Sequence, residues 1–193
     1  PPIEKIMALV IPLGKLYKFR MQILKGHGNN PFSPNFKIDY GIKGDCFWVE
    51  GIYQGDLNTN TNFDQEGYKN WGLWEFDVFE LFLTRQHKDG HYIEIQFSPL
   101  DQKLALYIKR PREEYEFFHP ETFEVVNNCD DEGWKFKCSV LASDIPGDNL
   151  TLSGNLHACL LESKNRCYLG TNLNKEQKPD FHRPDLFIKL GEF

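Results

Sequence analysis

Trp71-Gly-Leu-Trp-Glu-Phe-Asp-Val-Phe-Glu-Leu-Phe-Leu83 and, after a polar break, His91-Tyr-Ile-Glu-Ile-Gln-Phe-Ser-Pro99 carry the pattern that decides the fold. Side chains alternate between the two faces of a strand. In the first run this separates Phe79, Leu81 and Leu83 from Val78, Glu80 and Phe82. In the second it sets Ile93, Ile95 and Phe97 against Tyr92, Glu94, Gln96 and Ser98. Each run reads as a strand with one wholly apolar face turned to a core. Lys88-Asp89-Gly90 between them is turn chemistry, so the two strands are expected to form an antiparallel hairpin.

Outward from this hairpin the chain continues in short alternating runs separated by turn residues, which argues for antiparallel β-structure. The expected strands are Lys5–Ile11, Tyr17–Leu24, Phe36–Tyr40, Asp45–Gln54, Phe76–Arg85, His91–Phe97, Lys103–Lys109, Phe123–Asn127, Trp134–Leu141, Thr151–Leu161, Arg166–Gly170 and Asp185–Leu190. Gly26-His-Gly-Asn-Asn-Pro31, Asp130-Asp-Glu-Gly133 and Pro146-Gly-Asp-Asn149 punctuate them. Helical periodicity is nearly absent, with a single turn expected over Leu141–Ile145. The 193 residues fit one domain, 1–193, without linker or repeat. About a dozen short strands in one domain imply an all-β, two-sheet antiparallel sandwich of jelly-roll type.

The net charge of −6 disfavours a phosphate-backbone or anionic-membrane partner, because such binders present a basic face. The basic cluster Lys109-Arg110-Pro-Arg112 runs straight into Glu113-Glu114 and reads as a solvated turn. The apolar stretch Ile6–Leu13 is too short to span a bilayer. Five cysteines, Cys46, Cys129, Cys138, Cys159 and Cys167, are odd in number and lack C-x-x-C spacing. They read as reduced thiols behaving as small hydrophobes, which favours the cytoplasm, or the exterior if the start at Pro1 reflects processing.

With the apolar sets facing inward, Glu80, Glu94 and Gln96 share the outer face of one sheet, within reach of one ligand across paired strands. The alternative is that they are ordinary solvent-facing residues. Trp71 and Trp74 precede the first strand, and each indole is either a core residue or an aromatic plate at the site. Trp48 alternates with Cys46 and Glu50 and is expected on the sheet face with the carboxylates, whereas Trp134, alternating with Phe136 and Cys138, is expected in the core. Two long polar segments, Asp56–Asn70 ending at Trp71 and Asn172–Pro184 containing His182 and Arg183, are expected to border the same site. Aromatic plates beside carboxylates and amides suit a sugar ring, covering its CH face and reaching its hydroxyls. A mono- or oligosaccharide is therefore the expected ligand.

Catalysis is not expected. Glycoside hydrolysis needs two carboxyls about 5–9.5 Å apart, a separation Glu80 and Glu94 could reach, but a shallow sheet face seldom desolvates an acid enough to raise its pKa. No cofactor is expected, apart from a structural calcium on Asp45, Asp56, Asp64 and Asp77 near the loops. Haem would want an axial His or Met, and the methionines are only Met7 and Met21.

Leu73-Trp-Glu-Phe-Asp-Val-Phe-Glu-Leu-Phe-Leu83 followed by Tyr92-Ile-Glu-Ile-Gln-Phe-Ser-Pro-Leu100 resembles the DOMON-like, family 9 type carbohydrate-binding modules. Gly133-Trp-Lys-Phe-Lys-Cys-Ser-Val140 is similar to the later Gly-Trp strand of that family. Lys178-Pro-Asp-Phe-His-Arg-Pro-Asp-Leu-Phe187 is similar to the C-terminal signature of its small bacterial members. The resemblance implies a β-sandwich and, in the sugar-binding branch, a sugar held between aromatic plates: Trp71 and Trp74 here, with Glu80, Glu94 and Gln96 as polar partners. It implies Tyr168 where that branch carries a C-terminal Trp. His182 and Arg183 join the candidate binding residues, with a bracing role through Asp180 or Asp185 as the alternative. The rival functions it implies are a haem- or other cofactor-binding domain, as in the wider DOMON group, a glycan-acting enzyme using the paired Glu80 and Glu94, or an interaction sandwich without a small ligand.

Overall fold

The computed structural model describes residues 22–23, 25–26, 36–86, 90–162, 165–173 and 179–193. Among these residues thirteen strands follow in chain order: β1 (Gln22–Ile23), β2 (Lys25–Gly26), β3 (Phe36–Lys43), β4 (Cys46–Tyr53), β5 (Val78–Thr84), β6 (Tyr92–Phe97), β7 (Lys103–Arg110), β8 (Glu114–Phe117), β9 (Glu124–Asp130), β10 (Gly133–Leu141), β11 (Thr151–Glu162), β12 (Asn165–Gly170) and β13 (Ile188–Glu192). One sheet has the order β1-β3-β4-β10-β9. The other runs β2-β12-β11-β5-β6-β7-β8, with β13 added against β11. The strand pairings among the described residues are antiparallel. The chain is thus the β-sandwich that alternation in the sequence implies.

The core lies where the inner faces meet. Phe36, Tyr53, Trp134 and Phe136 from the five-stranded sheet pack with Phe79, Leu81, Ile95 and Phe97 from the other, each 0–5% exposed. The rings interlock across the gap: Phe36 stacks on Phe79 at 5.7 Å, and Phe136 lies 4.7 Å from Phe79 and 5.0 Å from Phe97. Trp134 is buried as expected, its indole N–H donating to Asn127 Oδ1 at 2.8 Å. The β9–β10 hairpin turns through Gly133, whose φ of +118° disfavours other residues. A Cβ there would also sit 2.1 Å from the Tyr53 carbonyl oxygen.

The central hairpin departs from the expected one-sided pattern. Every residue of β5 and β6 is buried. Their outer faces carry Val78, Phe82 and Tyr92, which with Leu104, Leu106 and Ile108 of the neighbouring β7 form a second cluster, roofed by Phe63, Trp74, Tyr168 and Phe181. Phe63 and Phe181 come from the two long polar segments, Trp74 from the turn after Trp71 and Tyr168 from β12. The first segment is pinned by reciprocal bonds of Asn58 with Asp77, at 2.7 and 2.9 Å, and by Asn70 Nδ2 donating to the Lys103 carbonyl at 3.0 Å.

Other boundaries shift locally. The last strand begins at Ile188 rather than Asp185, because Pro184 starts a 3-10 turn over Pro184–Leu186. The turn expected over Leu141–Ile145 is a 3-10 turn at Ala142–Asp144. The turn expected over Lys109–Arg112 is confined to 111–113, because Lys109 and Arg110 complete β7, and a short edge strand, β8, follows it that alternation did not reveal. Cys138, Cys159 and Cys167 are buried and Cys46 and Cys129 are not, and all five are free thiols. The expected strand Lys5–Ile11, most of Tyr17–Leu24 and the hairpin residues Lys88 and Asp89 lie outside the described residues.

Phe79 touches rings of both sheets, so Phe79→Ala is expected to cost about 3–5 kcal/mol. Urea unfolding checks this: a loss under about 1 kcal/mol would be at odds with a core centred on this ring.

Candidate functional site

A cavity of about 860 Å³ opens on the outer face of the larger sheet. Its floor is set by strand register. Glu80 on β5 faces Gln96 on β6, and Phe82 faces Glu94. The pleat puts these four side chains on one face, and the roof encloses them: Glu80 is 2% exposed, Glu94 3% and Gln96 2%. Gln96 Nε2 donates to Glu94 Oε1 at 2.6 Å, and the Cys159 thiol donates to Glu80 Oε1 at 3.7 Å. Glu80 Oε2, Glu94 Oε2 and Gln96 Oε1 are buried without a hydrogen-bond partner within the protein. His182 Nε2 stands 3.6 Å from Glu94 Oε2, too far for a hydrogen bond.

The walls come from distant parts of the chain. A 3-10 turn over Leu73–Glu75 follows Gly72, whose φ of +88° reverses the backbone between the two indoles. Trp71 meets Trp74 edge to face at 4.9 Å and stacks on Tyr115 of β8 at 5.5 Å, remaining 49% exposed at the mouth. From β12, Tyr168 lines the cavity and Arg166 donates to the carbonyls of Glu75 and Phe76 at 2.8 and 3.3 Å, tying that strand to the turn. The segment 179–182 closes the far side. Asp180 pairs with Arg112 of the β7–β8 turn, Phe181 stacks on His157 at 3.9 Å, and His182 Nδ1 lies 2.8 Å from the Tyr92 hydroxyl.

Enclosure sets the electrostatics. The Glu80 pKa is raised from 4.5 to about 8, first by burial and then by the neighbouring Glu94, with Arg166 and the Cys159 thiol partly offsetting both. Burial also raises Glu94, against the opposing effects of His182 and Gln96. The expectation that this face is too shallow to shift an acid is therefore overturned: the covering segments strip water from both carboxyls. Neighbouring His157 is pushed down to about 3 by burial, so it is neutral near pH 7. A neutral carboxyl both donates and accepts, which matches the dual character of a ligand hydroxyl.

Trp71, Trp74, Glu80, Glu94, Gln96, Tyr168 and His182 thus line one cavity. Trp48 does not. It sits on β4 of the other sheet, opposite Gly41 and Ser139, with its indole packed against Gly41. Alternation gave its face but not its sheet. Arg183 is also elsewhere, forked onto Asp185 at 2.9 and 2.8 Å in the bracing role that was its alternative. Arg112, Tyr115, Arg166 and Asp180 line the cavity without having been anticipated. Arg166 alone left a signal, since it alternates in phase with Tyr168.

Asp45, Asp56, Asp64 and Asp77 do not converge, and among the described residues no group of three or more His, Cys, Asp or Glu side chains is placed to hold a metal ion. Asp77 and Asp64 instead accept backbone N–H groups, from Asn58 at 2.7 Å and Glu66 at 2.9 Å. Met7 and Met21 lie outside the described residues.

Sign and window of the pH response follow from the floor. A carboxyl whose folded pKa is raised contributes most below its unfolded value, and that contribution is lost as pH rises. Stability should decline between about pH 4.5 and 8, and Glu80→Gln should flatten the decline. Urea midpoints across that range are the check; identical slopes in both proteins would contradict the assignment.

No family model matches the chain, and no curated protein matches it. Solved structures do. A candidate carbohydrate-binding protein from Bacteroides uniformis ATCC 8492 superposes with a TM-score of 0.69 at 15% identity, over 88% of this chain and 84% of that one. A carbohydrate-binding module family 9 (CBM9) from Caldicellulosiruptor kristjanssonii, in complex with cellotriose, gives 0.58 at 12% identity, over 91% of this chain and 83% of that one. The same kind of module in complex with glucose gives 0.59 at 10% identity, with the same coverage. At such identities the likeness is one of fold: the chain has a β-sandwich similar to that of CBM9 modules.

Proposed function

We propose that this protein binds a saccharide, without chemical conversion, in the cavity above β5 and β6. The carrying observation is the pairing of three buried, unpartnered polar groups on Glu80, Glu94 and Gln96 with aromatic walls from Trp71, Trp74 and Tyr168. Buried polar atoms left without partners demand an explanation, and hydroxyls of a bound sugar provide one. Indole and phenol faces would cover the ring's CH surface. The cavity is of a size usual for small ligands. Structural neighbours in complex with glucose and cellotriose support the ligand class.

A glycan-acting enzyme is the second reading, favoured by the raised pKa of Glu80, which suits a general acid. Hydrolysis also needs an ionised partner as nucleophile or base, with the scissile bond between the two carboxyls. Here both acids are biased toward the neutral form and stand on adjacent strands of one floor. That supports a binding role.

Calorimetry with mono- and disaccharides tests the proposal. Binding in the micromolar range or weaker, about −8 kcal/mol or less in magnitude, is expected. Trp71→Ala and Trp74→Ala should each weaken it roughly tenfold or more, about 1.4 kcal/mol. Wild-type-like affinity in both variants would move the site elsewhere, and turnover of a glycan that Glu80→Gln abolishes would establish the enzyme instead.

A further inference from the structure

We propose that the floor of the cavity receives an ammonium group, so that the saccharide recognised is an amino sugar with a free amine. This rests on the saccharide reading above and narrows it. The first argument is the hydrogen-bond inventory. Gln96 gives one of its two N–H groups to Glu94 Oε1, and its carbonyl oxygen, an acceptor only, is buried at the cavity floor without a partner. Glu80 Oε2 and Glu94 Oε2 are buried beside it, also unpartnered. With the two carboxyls ionised, these are three acceptor oxygens on one floor, and they call for donors. An ammonium offers three N–H donors and no lone pair, whereas a hydroxyl offers one donor and brings its own lone pairs.

The second argument is charge. Arg112 at the wall is already matched by Asp180. Arg166 is the guanidinium whose field reaches Glu80. The other basic group on the floor is His182, whose Nε2 stands 3.6 Å from Glu94 Oε2; beside a neutral imidazole, two ionised glutamates against that guanidinium leave one negative charge unbalanced in a water-poor pocket, which biases them against ionising together. One ligand ammonium closes the balance. An amine arriving as free base takes the proton of a neutral carboxyl; one arriving charged releases that proton to solvent. Either route ends in the same ion pair.

A divalent cation fits the floor less well. Calcium takes six to eight oxygens, and the floor is flanked by Phe82, Leu106 and the Cys159 thiol, with a guanidinium close by.

The test is calorimetry on the whole chain near pH 7, with a chelator present. Glucosamine, galactosamine and mannosamine are compared with glucose, galactose, mannose and N-acetylglucosamine. At least one free amino sugar should bind tenfold or more tightly than its neutral parent. The N-acetyl form, which keeps the position but loses the charge, should lose that gain. Glu94→Gln and Glu80→Gln should each bring the ratio of amino to neutral sugar toward one, a ratio that a general loss of folding would not selectively change. Equal affinity for amino and neutral sugars overturns the inference and leaves the saccharide reading standing. Binding of neither class overturns both. Neutral-sugar binding that appears only when calcium replaces the chelator overturns it in favour of a metal.

Discussion

Burial of the β5–β6 hairpin on both faces is the constraint on which the rest of the structure depends. The inner face packs into the sandwich core. The outer face carries Val78, Phe82 and Tyr92 and must also be covered. Two long segments contribute the cover, and among their described residues the strand-like pairing is a single bridge, Lys69 with Leu104. On one side Asn70, Asp77 and Arg166 bond to backbone, and the Ala105 N–H donates to the Tyr68 carbonyl; on the other the side chains of Arg112 and Asp180 pair. Because the roof is built of irregular chain and large rings, it leaves a gap rather than a second packed layer. The cavity is what remains between a regular floor and an irregular cover.

That origin explains the chemistry of the floor. A carboxylate on an open sheet face keeps its water and its ordinary pKa. The same carboxylate beneath a roof loses hydration and drifts toward its neutral form. Glu80 and Glu94 occupy positions that alternation makes outward-facing, and it is the cover that turns them inward. The sequence places them; distant chain decides their charge.

The division between what could be read from sequence and what could not follows the same line. Glu80, Glu94 and Gln96 were legible as a set because the pleat has a period of two and the hairpin fixes register. Trp71 and Trp74 were legible because they adjoin that hairpin in sequence. Trp48 was misplaced because alternation along β4 says nothing about which sheet the strand joins, and its partners are β3 and β10. Arg112 looked like part of a solvated turn because its partner, Asp180, lies far along the chain. β8 went unseen because four exposed residues, Glu114–Phe117, carry no buried face to announce them. The raised pKa values were invisible for the reason already given: solvent exclusion is a long-range property.

Trp71 gives the cavity its own optical label. Trp134 is sealed at 0% exposure and Trp48 nearly so at 8%, on the far sheet, while Trp71 is 49% exposed at the cavity mouth. Indole emission shifts with the polarity around the ring. The solvent-sensitive part of the protein's fluorescence therefore originates largely where a ligand would enter, and a spectrometer can watch that entrance without any dye attached.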